Sequence, residues 1–345
     1  MDRTSLIGAL QNVAIQIVPE LQSEYYSKKK IPPAYTQFCT VKSIKEPEWT
    51  IPKVGGGSAF WQTNSLIGIT ELTKKTEGSS LPFKDISLGF PITIVKQRYW
   101  TGLELTLELN RDFKSLKEEL INWIKDKNLP QSVEWTKEIL AHQLVNEGAF
   151  AGTSDAYNNS IPGIVTAANN MYVYDGLPLF TPSTSPRTNK SGTNYYTSIG
   201  NQTFSYDNLV LANRLLTAVN NKMENDKPFN NKQDNFILFN PAIEDLVKRV
   251  IHSEYIPGTL ANDVNPMYNV AKPIASEYFL PTAAQSVQGW VMGNKNCIYF
   301  YDNDDIEIEM WKVPEAEKVR VKVGIDLAAG VMNWRGMVGS YMPTV

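Results

Sequence analysis

Few side chains in this 345-residue sequence have the types and spacing that catalysis requires. The two histidines, His142 and His252, fall in predicted helices, and neither has another histidine or a cysteine at metal-ligand spacing. No Gly-x-Ser-x-Gly motif is present to hold a nucleophilic serine. The cluster Gly55-Gly56-Gly57-Ser58 lacks the Gly-Lys-Ser/Thr continuation of a phosphate-binding loop, so it is typical of a flexible hinge. We therefore predict no catalytic, cofactor-binding or metal-binding residue.

The densest group of ionisable side chains is an acidic cluster near the end of the chain. Its members are Asp302, Asp304, Asp305, Glu307 and Glu309. The cluster lacks the glycine and the final glutamate of a calcium-binding loop, which favours a solvated turn followed by the outer face of a strand. A weak cation site, or a charged contact with a basic neighbour, is the alternative. Because two such carboxylates could serve a glycoside hydrolase, that class of enzyme also stays open.

Aromatic residues are frequent, with 16 tyrosines and 8 tryptophans, and the polar segment 152–206 holds a group of tyrosines. Such side chains stack on sugars and bases, but they are also enriched at contacts between subunits. We favour loop packing or subunit contact, and we keep a carbohydrate-binding tail protein as an alternative. The tyrosines concerned are Tyr157, Tyr172, Tyr174, Tyr195 and Tyr196.

Composition limits the remaining function classes. A net charge of −3, with both signs interspersed, does not fit a dedicated nucleic-acid binder, although weak contacts repeated over many copies remain compatible with it. Cys39 and Cys297 form no cysteine framework, which favours two reduced thiols over a disulfide. The N-terminus leads into an amphipathic pattern rather than a signal core, and no apolar run reaches the roughly 18 residues of a membrane helix. We expect a protein that is made and used inside a cell, without a membrane partner.

The first half of the chain is predicted to begin with an arm and a long excursion. An apolar stripe predicts a helix over 4–26 with Thr4 as its cap, and 50–80 is a glycine-containing excursion. Alternation predicts strands at 91–95 and 103–109. Two helices follow, separated by Leu129-Pro130. The first begins at the capping box Ser115–Glu118, and the second spans 132–148 with Val133, Ile139, Leu140, Leu144 and Val145 inward.

The second half is predicted to contain two helices and several strands. Asp207 is expected to cap a helix that continues to about Met223, and Phe236–Phe239 reads as a buried strand. Asn240 and Pro241 then form the start of a helix whose core face is Ile243, Leu246, Val247, Val250 and Ile251. The later strands are predicted at 290–292, 297–301, 306–311 and 319–323, with a hairpin-like turn at 301–305 between two of them.

Four short segments, in this order, resemble the tailed-phage major capsid protein of the Hong Kong 97 type. Arg98–Glu108 is similar to the strand that these proteins place between an extended loop and a spine helix. Asp175-Gly-Leu-Pro-Leu-Phe180 resembles a segment of the Mu-like head proteins, although the Ser-x-His that often follows there is replaced by Thr181-Pro-Ser-Thr-Ser. Phe236–Ile251 resembles their strand–Asn-Pro–helix unit, and Trp334-Arg335-Gly336 lies where such proteins end.

The resemblance implies an α+β, HK-97-like major capsid fold with a defined domain order. Residues 1–50 would form an N-terminal arm and 51–101 an extended β-hairpin loop over the adjacent subunit. Residues 102–225 would form the peripheral domain with its spine helix, and 226–315 the axial domain. Residues 316–345 would return to the peripheral domain as a C-terminal strand. Some relatives cross-link lysine to asparagine, and Lys74 or Lys75 would be the donor here, with no acceptor identified.

The function implied by the resemblance is structural rather than enzymatic. The subunit would assemble into pentamers and hexamers of an icosahedral bacteriophage capsid that encloses double-stranded DNA without sequence specificity. Portal and scaffolding proteins would be its partners, with a decoration protein as a further candidate, and assembly would occur in the host bacterial cytoplasm. An encapsulin-like nanocompartment shell is the nearest alternative.

Overall fold

The computed structural model describes a little over half of the chain. The described residues are 33–43, 97–106, 129–146, 173, 177–189, 191–222, 226, 228, 235–257, 263–280, 287–302, 306–313, 318–331 and 333–340. The predicted arm helix at 4–26, the excursion at 50–80, the strand at 91–95 and the helix that begins at Ser115 lie outside these residues. So do Lys74, Lys75, Asp175 and Gly176.

The larger sheet is organised by one long strand. It contains β1 (Thr40–Ser43), β2 (Gln97–Thr106), β8 (Ile298–Asp302), β9 (Glu307–Val313) and β10 (Lys318–Val331). β10 pairs along one edge with β2, both antiparallel, from Lys318 opposite Thr106 to Leu327 opposite Gln97. β1 is parallel to β8 and forms the edge of the sheet opposite β2.

The other edge of β10 pairs with two strands in succession, which corrects the predicted hairpin at 301–305. β8 pairs with β10 from Leu327 to Val331, and β9 pairs with it from Lys318 to Gly324, both antiparallel. β8 and β9 therefore follow one another along the same edge and do not pair with each other. The polar residues 303–305 suggested a turn, but the chain continues in the same direction after them.

Three of the four strands of the smaller sheet are buried on both faces, and the edge strand β6 is partly exposed. Its strand order is β11 (Met337–Ser340), β7 (Trp290–Gly293), β5 (Phe236–Phe239) and β6 (Lys272–Ala275). Alternate residues of β5 enter different cores, because Phe236 and Leu238 pack in one cluster whereas Ile237 and Phe239 pack in the other. This explains the continuous apolar run Phe236–Phe239, which an alternating half-buried strand would not show. A short hairpin, β3 (Arg187–Thr188) and β4 (Asn194–Tyr195), stands apart.

Four α-helices lie in the described part of the chain. They are α1 (Tyr35–Phe38), α2 (Leu129–Asn146), α3 (Tyr206–Arg214, continued by a π-helical turn, Leu215–Val219) and α4 (Glu244–Ile251). α2 begins before the predicted position 132 and contains Pro130 in its first turn, where the missing N–H is tolerated. Its buried residues share one core with β10.

The caps of the last two helices were predicted with mixed success. The N-cap of α3 is Ser205, whose Oγ accepts the Asn208 N–H at 3.2 Å, so the predicted cap Asp207 is wrong and lies in the first turn. The helical run also ends at Val219 rather than near Met223. Asn240 is confirmed as a cap, since its side chain accepts the Ala242 N–H at 3.1 Å and a 3-10 turn, Pro241–Ile243, leads into α4. Leu246 is exposed, not on the core face as predicted.

Among the described residues, no helix is long and apolar enough to cross a membrane.

Close packing at Gly336 generates a stability prediction. A Cβ at this position would meet the Asn294 side chain and lie 2.6 Å from the Cys297 Sγ. Gly336→Ala should therefore lower the free energy of unfolding by roughly 1–3 kcal/mol, the usual cost of overpacking, as measured by urea denaturation.

Gly324→Ala is the matched control, because a Cβ there has its nearest neighbour, the Tyr99 carbonyl oxygen, at an ordinary 3.5 Å. Equal unfolding free energies for the two variants would contradict the packing argument.

Candidate assembly surfaces

The outward face of the larger sheet carries two exposed tryptophans. Along β10, Val321, Val323 and Ile325 point into the core, so the residues between them point outward. The paired register places Trp100 opposite Gly324 and Trp311 opposite Arg320 on that outward side. Trp100 is 69% exposed and Trp311 is 41% exposed. We call this surface the tryptophan face and define it by Arg98, Trp100, Glu104, Trp311, Arg320 and Lys322.

The charges on the tryptophan face neutralise one another. Arg98 Nε lies 3.0 Å from Asp326, and its guanidinium is also 3.3 Å from Glu307. Glu104 binds Arg320 at 2.8 Å and Lys318, and these hydrogen bonds hold the pKa of Glu104 below its usual range. Lys322 lies 3.4 Å from Glu309. Because each basic group has an acidic partner, the face does not have the character of a polyanion-binding surface.

A groove of about 540 Å³ runs across this face between the two indole rings. Gly102, which has no side chain, lines the groove, and a Cβ on Gly102 would lie 3.0 Å from the Val321 carbonyl oxygen. Large exposed aromatic side chains beside a groove are typical of a surface that another protein covers.

A second exposed apolar surface lies in the loop after α4. Tyr255 is 53% exposed, Val264 76% and Tyr268 47%, and Tyr255 pairs with Val264 in an isolated β-bridge. We call these three residues the tyrosine patch. Asn265 fixes their loop from beneath, because its side-chain nitrogen donates to the carbonyls of Val250 and Ser253, each at 2.8 Å. The loop therefore presents its apolar residues from a fixed base.

Two of the segments that carry the sequence resemblance meet at one buried cluster. The Arg187 guanidinium donates to the Pro178 carbonyl and, at 3.4 Å, to the Leu177 carbonyl. The same group lies 5.1 Å from the centre of the Trp334 ring, and Arg335 stacks on that ring at 4.1 Å. Arg187, in contact with both the Leu177 and Pro178 carbonyls and the Trp334 ring, connects the Leu177–Phe180 segment to Trp334–Gly336. Sequence reasoning missed Arg187, which has no distinctive spacing within its polar segment.

A buried ion pair connects α2 to the larger sheet. Lys137 is fully buried, and its Nζ lies 2.6 Å from Asp302 Oδ2 and 3.4 Å from Glu134 Oε1. The expectation that Asp302 belongs to a solvated turn is therefore wrong. Glu307 and Glu309 do lie on the outer face of β9, and Asp304 and Asp305 lie outside the described residues. The position of Lys137 between Val133 and Leu140, on the inward stripe of the helix, was the signal in the sequence.

The other candidate residues serve the fold. His142 is buried, and burial lowers its pKa to about 4. The ring of His252 lies 2.9 Å from the Asn269 side-chain oxygen at the end of α4. Tyr195 is buried and donates to Asp226, whereas Tyr196 is half-buried. Tyr157, Tyr172 and Tyr174 lie outside the described residues.

The two cysteines are free, buried thiols, and burial raises the pKa of Cys297 to about 12. Within the described part of the chain, no group of three His, Cys, Asp or Glu side chains could hold a metal ion.

A solved capsid structure has a similar fold. The capsid of an empty GTA particle superposes with a TM-score of 0.50 over 91% of each chain, at 10% sequence identity. The capsid of the cyanophage P-SCSP1u has a TM-score of 0.49 at 9% identity, covering 90% of this chain and 88% of its own. The chain has the fold of the first of these capsid proteins. The predicted α+β class and the resemblance to tailed-phage capsid proteins are thereby confirmed at the level of fold.

No protein-family model and no curated protein matches the sequence. The domain boundaries given above stay predictions.

The buried pair generates a stability prediction. Lys137→Met removes the ammonium that faces a carboxylate buried at the end of β8, so the free energy of unfolding should fall by roughly 3–5 kcal/mol in urea denaturation. The double variant Lys137→Met/Asp302→Asn should recover part of this loss, because it contains no buried carboxylate at that point.

Lys248→Met is the control. Lys248 lies 2.6 Å from Glu244 on the exposed side of α4, where solvent screens the pair, so its loss should cost far less. A similar cost for Lys137→Met and Lys248→Met would contradict the assignment.

Proposed function

We propose that this protein is the repeating structural subunit of an icosahedral bacteriophage capsid. The observation that carries the proposal is the fold shared with a capsid protein over nine-tenths of both chains. The exposed tryptophan face and tyrosine patch add independent support, because a protein that acts alone rarely leaves such aromatic surfaces open. In this proposal, copies assemble into pentamers and hexamers that enclose double-stranded DNA.

The tryptophan face supports assembly through shape and apolar area rather than net charge. A face whose charges are already paired neither repels nor strongly attracts a second copy at long range. Its contribution comes from burying two indole rings, which are among the side chains that most often dominate interface energies. In a closed shell the same contact repeats between many copies, so modest contributions from each groove add up.

The tyrosine patch lies within the segment 226–315, which the resemblance assigns to the axial domain. We propose that it contributes to contacts around the five-fold and six-fold axes. The fixed base at Asn265 supports this role, because a preorganised loop loses little conformational entropy when it becomes buried.

The proposed role is structural and not enzymatic. Asp302 is buried against Lys137, so it cannot pair with Glu307 as the two catalytic carboxylates of a glycoside hydrolase would have to. Portal and scaffolding proteins, with a decoration protein as a further candidate, are the proposed partners. DNA would be contacted without sequence specificity, and assembly would take place in the host cytoplasm.

Electron microscopy of the purified full-length protein tests the proposal. We expect closed icosahedral shells, or pentamers and hexamers that convert to shells when salt or protein concentration changes. A protein that stays monomeric across these conditions, with an intact folding transition, would exclude the proposed function.

The tryptophan face generates a separate prediction. Trp100→Ser/Trp311→Ser should reduce the fraction of protein in shells by at least about tenfold, since two proposed anchor side chains are lost. The unfolding transition should change little because both rings are exposed. Light scattering and circular dichroism would measure these two properties.

Trp135→Ser is the matched control, because Trp135 on α2 is as exposed as Trp311 but lies outside the tryptophan face. Equal loss of assembly in the control would show that the effect is not specific to this face.

A further inference from the structure

A single carboxyl group holds the start of the described N-terminal segment on α2. The segment is Pro33–Ser43 and contains α1 and β1. Glu138 Oε1 accepts the Ala34 N–H at 2.6 Å, and Oε2 accepts the Tyr35 N–H at 3.1 Å. Each oxygen of this buried carboxyl group thus accepts one of two consecutive backbone N–H groups, which lie 104 and 103 residues before Glu138 in the sequence.

The rest of the segment is held by apolar packing, by strand pairing and by hydrogen bonds with Lys295, whose Nζ donates to the Thr36 carbonyl at 3.0 Å. The ring of Tyr35 lies 4.8 Å from that of Phe300, and Phe38 packs edge-on against His142 at the same distance. β1 then pairs with β8 in parallel. The ring contacts and the strand pairing involve no group that changes its charge between pH 5 and pH 8, so they hold the far end of the segment while the contact at Glu138 can vary.

The titratable groups around this contact come from three elements. Glu134, Lys137 and His142 lie on α2 itself, Tyr35 and Cys39 belong to the segment, and Asp302 and Lys295 approach from the sheet side. The pKa of His142 is lowered to about 4 by burial, and burial raises those of Tyr35 and Cys39. Those three groups therefore keep their charge between pH 5 and 8.

Glu138 differs from them. Burial raises its pKa to about 7, an effect that the two backbone N–H donors only partly oppose and that Glu134 reinforces. When the segment opens and Glu138 meets water, its pKa should return towards the ordinary value of 4.5. At a pH between these two pKa values, Glu138 is protonated when the segment is closed and ionised when it is open. Opening therefore releases a proton, and it becomes more favourable as the pH rises through this range.

We propose that Glu138 is a pH-sensitive latch that fastens the N-terminal segment to α2, and that local opening of the segment at Pro33–Phe38 increases from pH 5 to pH 8. The latch acts on the first described residues of the chain, directly after residues 1–32 in the sequence. This inference concerns the free subunit and does not depend on shell formation.

Hydrogen exchange of the full-length protein, read by NMR or mass spectrometry, tests the latch. After correction for intrinsic exchange, the protection factors of the Ala34 and Tyr35 amides should fall by between one and two orders of magnitude from pH 5 to pH 8. Protection of the Val250 amide in α4 should stay constant over the same range.

Variants make the assignment specific. In Glu138→Gln, which cannot ionise but retains a carbonyl acceptor, the protection of Ala34 and Tyr35 should change less than about threefold over this range. Glu244→Gln, on the exposed side of α4, should behave as the wild type. Wild-type protection that is constant or increases with pH would overturn the proposal, and this result is decisive even if Glu138→Gln fails to fold. An undiminished pH dependence in folded Glu138→Gln would also overturn it.

Discussion

The larger sheet depends on the backbone pairing of β10. Its 14 residues, Lys318–Val331, bond to β2 along one edge and to β9 and then β8 along the other. Because side chains alternate along a strand, this pairing gives the sheet one apolar face and one polar, exposed face. One contains the apolar residues that pack with α2, and the other contains the paired charges and the two exposed tryptophans. The proposed assembly surface is therefore a direct consequence of the same register that builds the core.

Polar groups inside the core connect elements that are distant in sequence. Lys137 joins α2 to β8 through Asp302, and Glu138, the next residue, joins α2 to the N-terminal segment. Each buried charge costs desolvation, which only a well-placed partner compensates. A core built in this way discriminates against wrong arrangements, because a shifted helix would leave charges without partners. We regard this as the reason that the core of this protein retains ionisable groups.

Features that are local in sequence could be predicted, whereas contacts between distant segments could not. Phe236–Ile251 was predicted well because a buried strand, an Asn cap, a proline at the first helical position and an apolar stripe all lie within 16 residues. The predicted hairpin-like turn at 301–305 was wrong, because the acidic residues there are typical of a loop. Only the register with β10 shows that β8 and β9 run in the same direction along one edge. The burial of Asp302 depends on Lys137, which is 165 residues away in the sequence. Trp100 and Trp311 face one groove only because both strands pair with β10.

If copies of this protein assemble as proposed, the tryptophan face becomes covered. Oxidative labelling of tryptophan, read by mass spectrometry on free subunits and on assembled particles, tests this claim most directly. We predict that Trp100 and Trp311 react in the free subunit and are protected in the particle, while the buried Trp290 and Trp334 stay unreactive in both. Equal labelling of Trp100 and Trp311 in the two states would contradict the account.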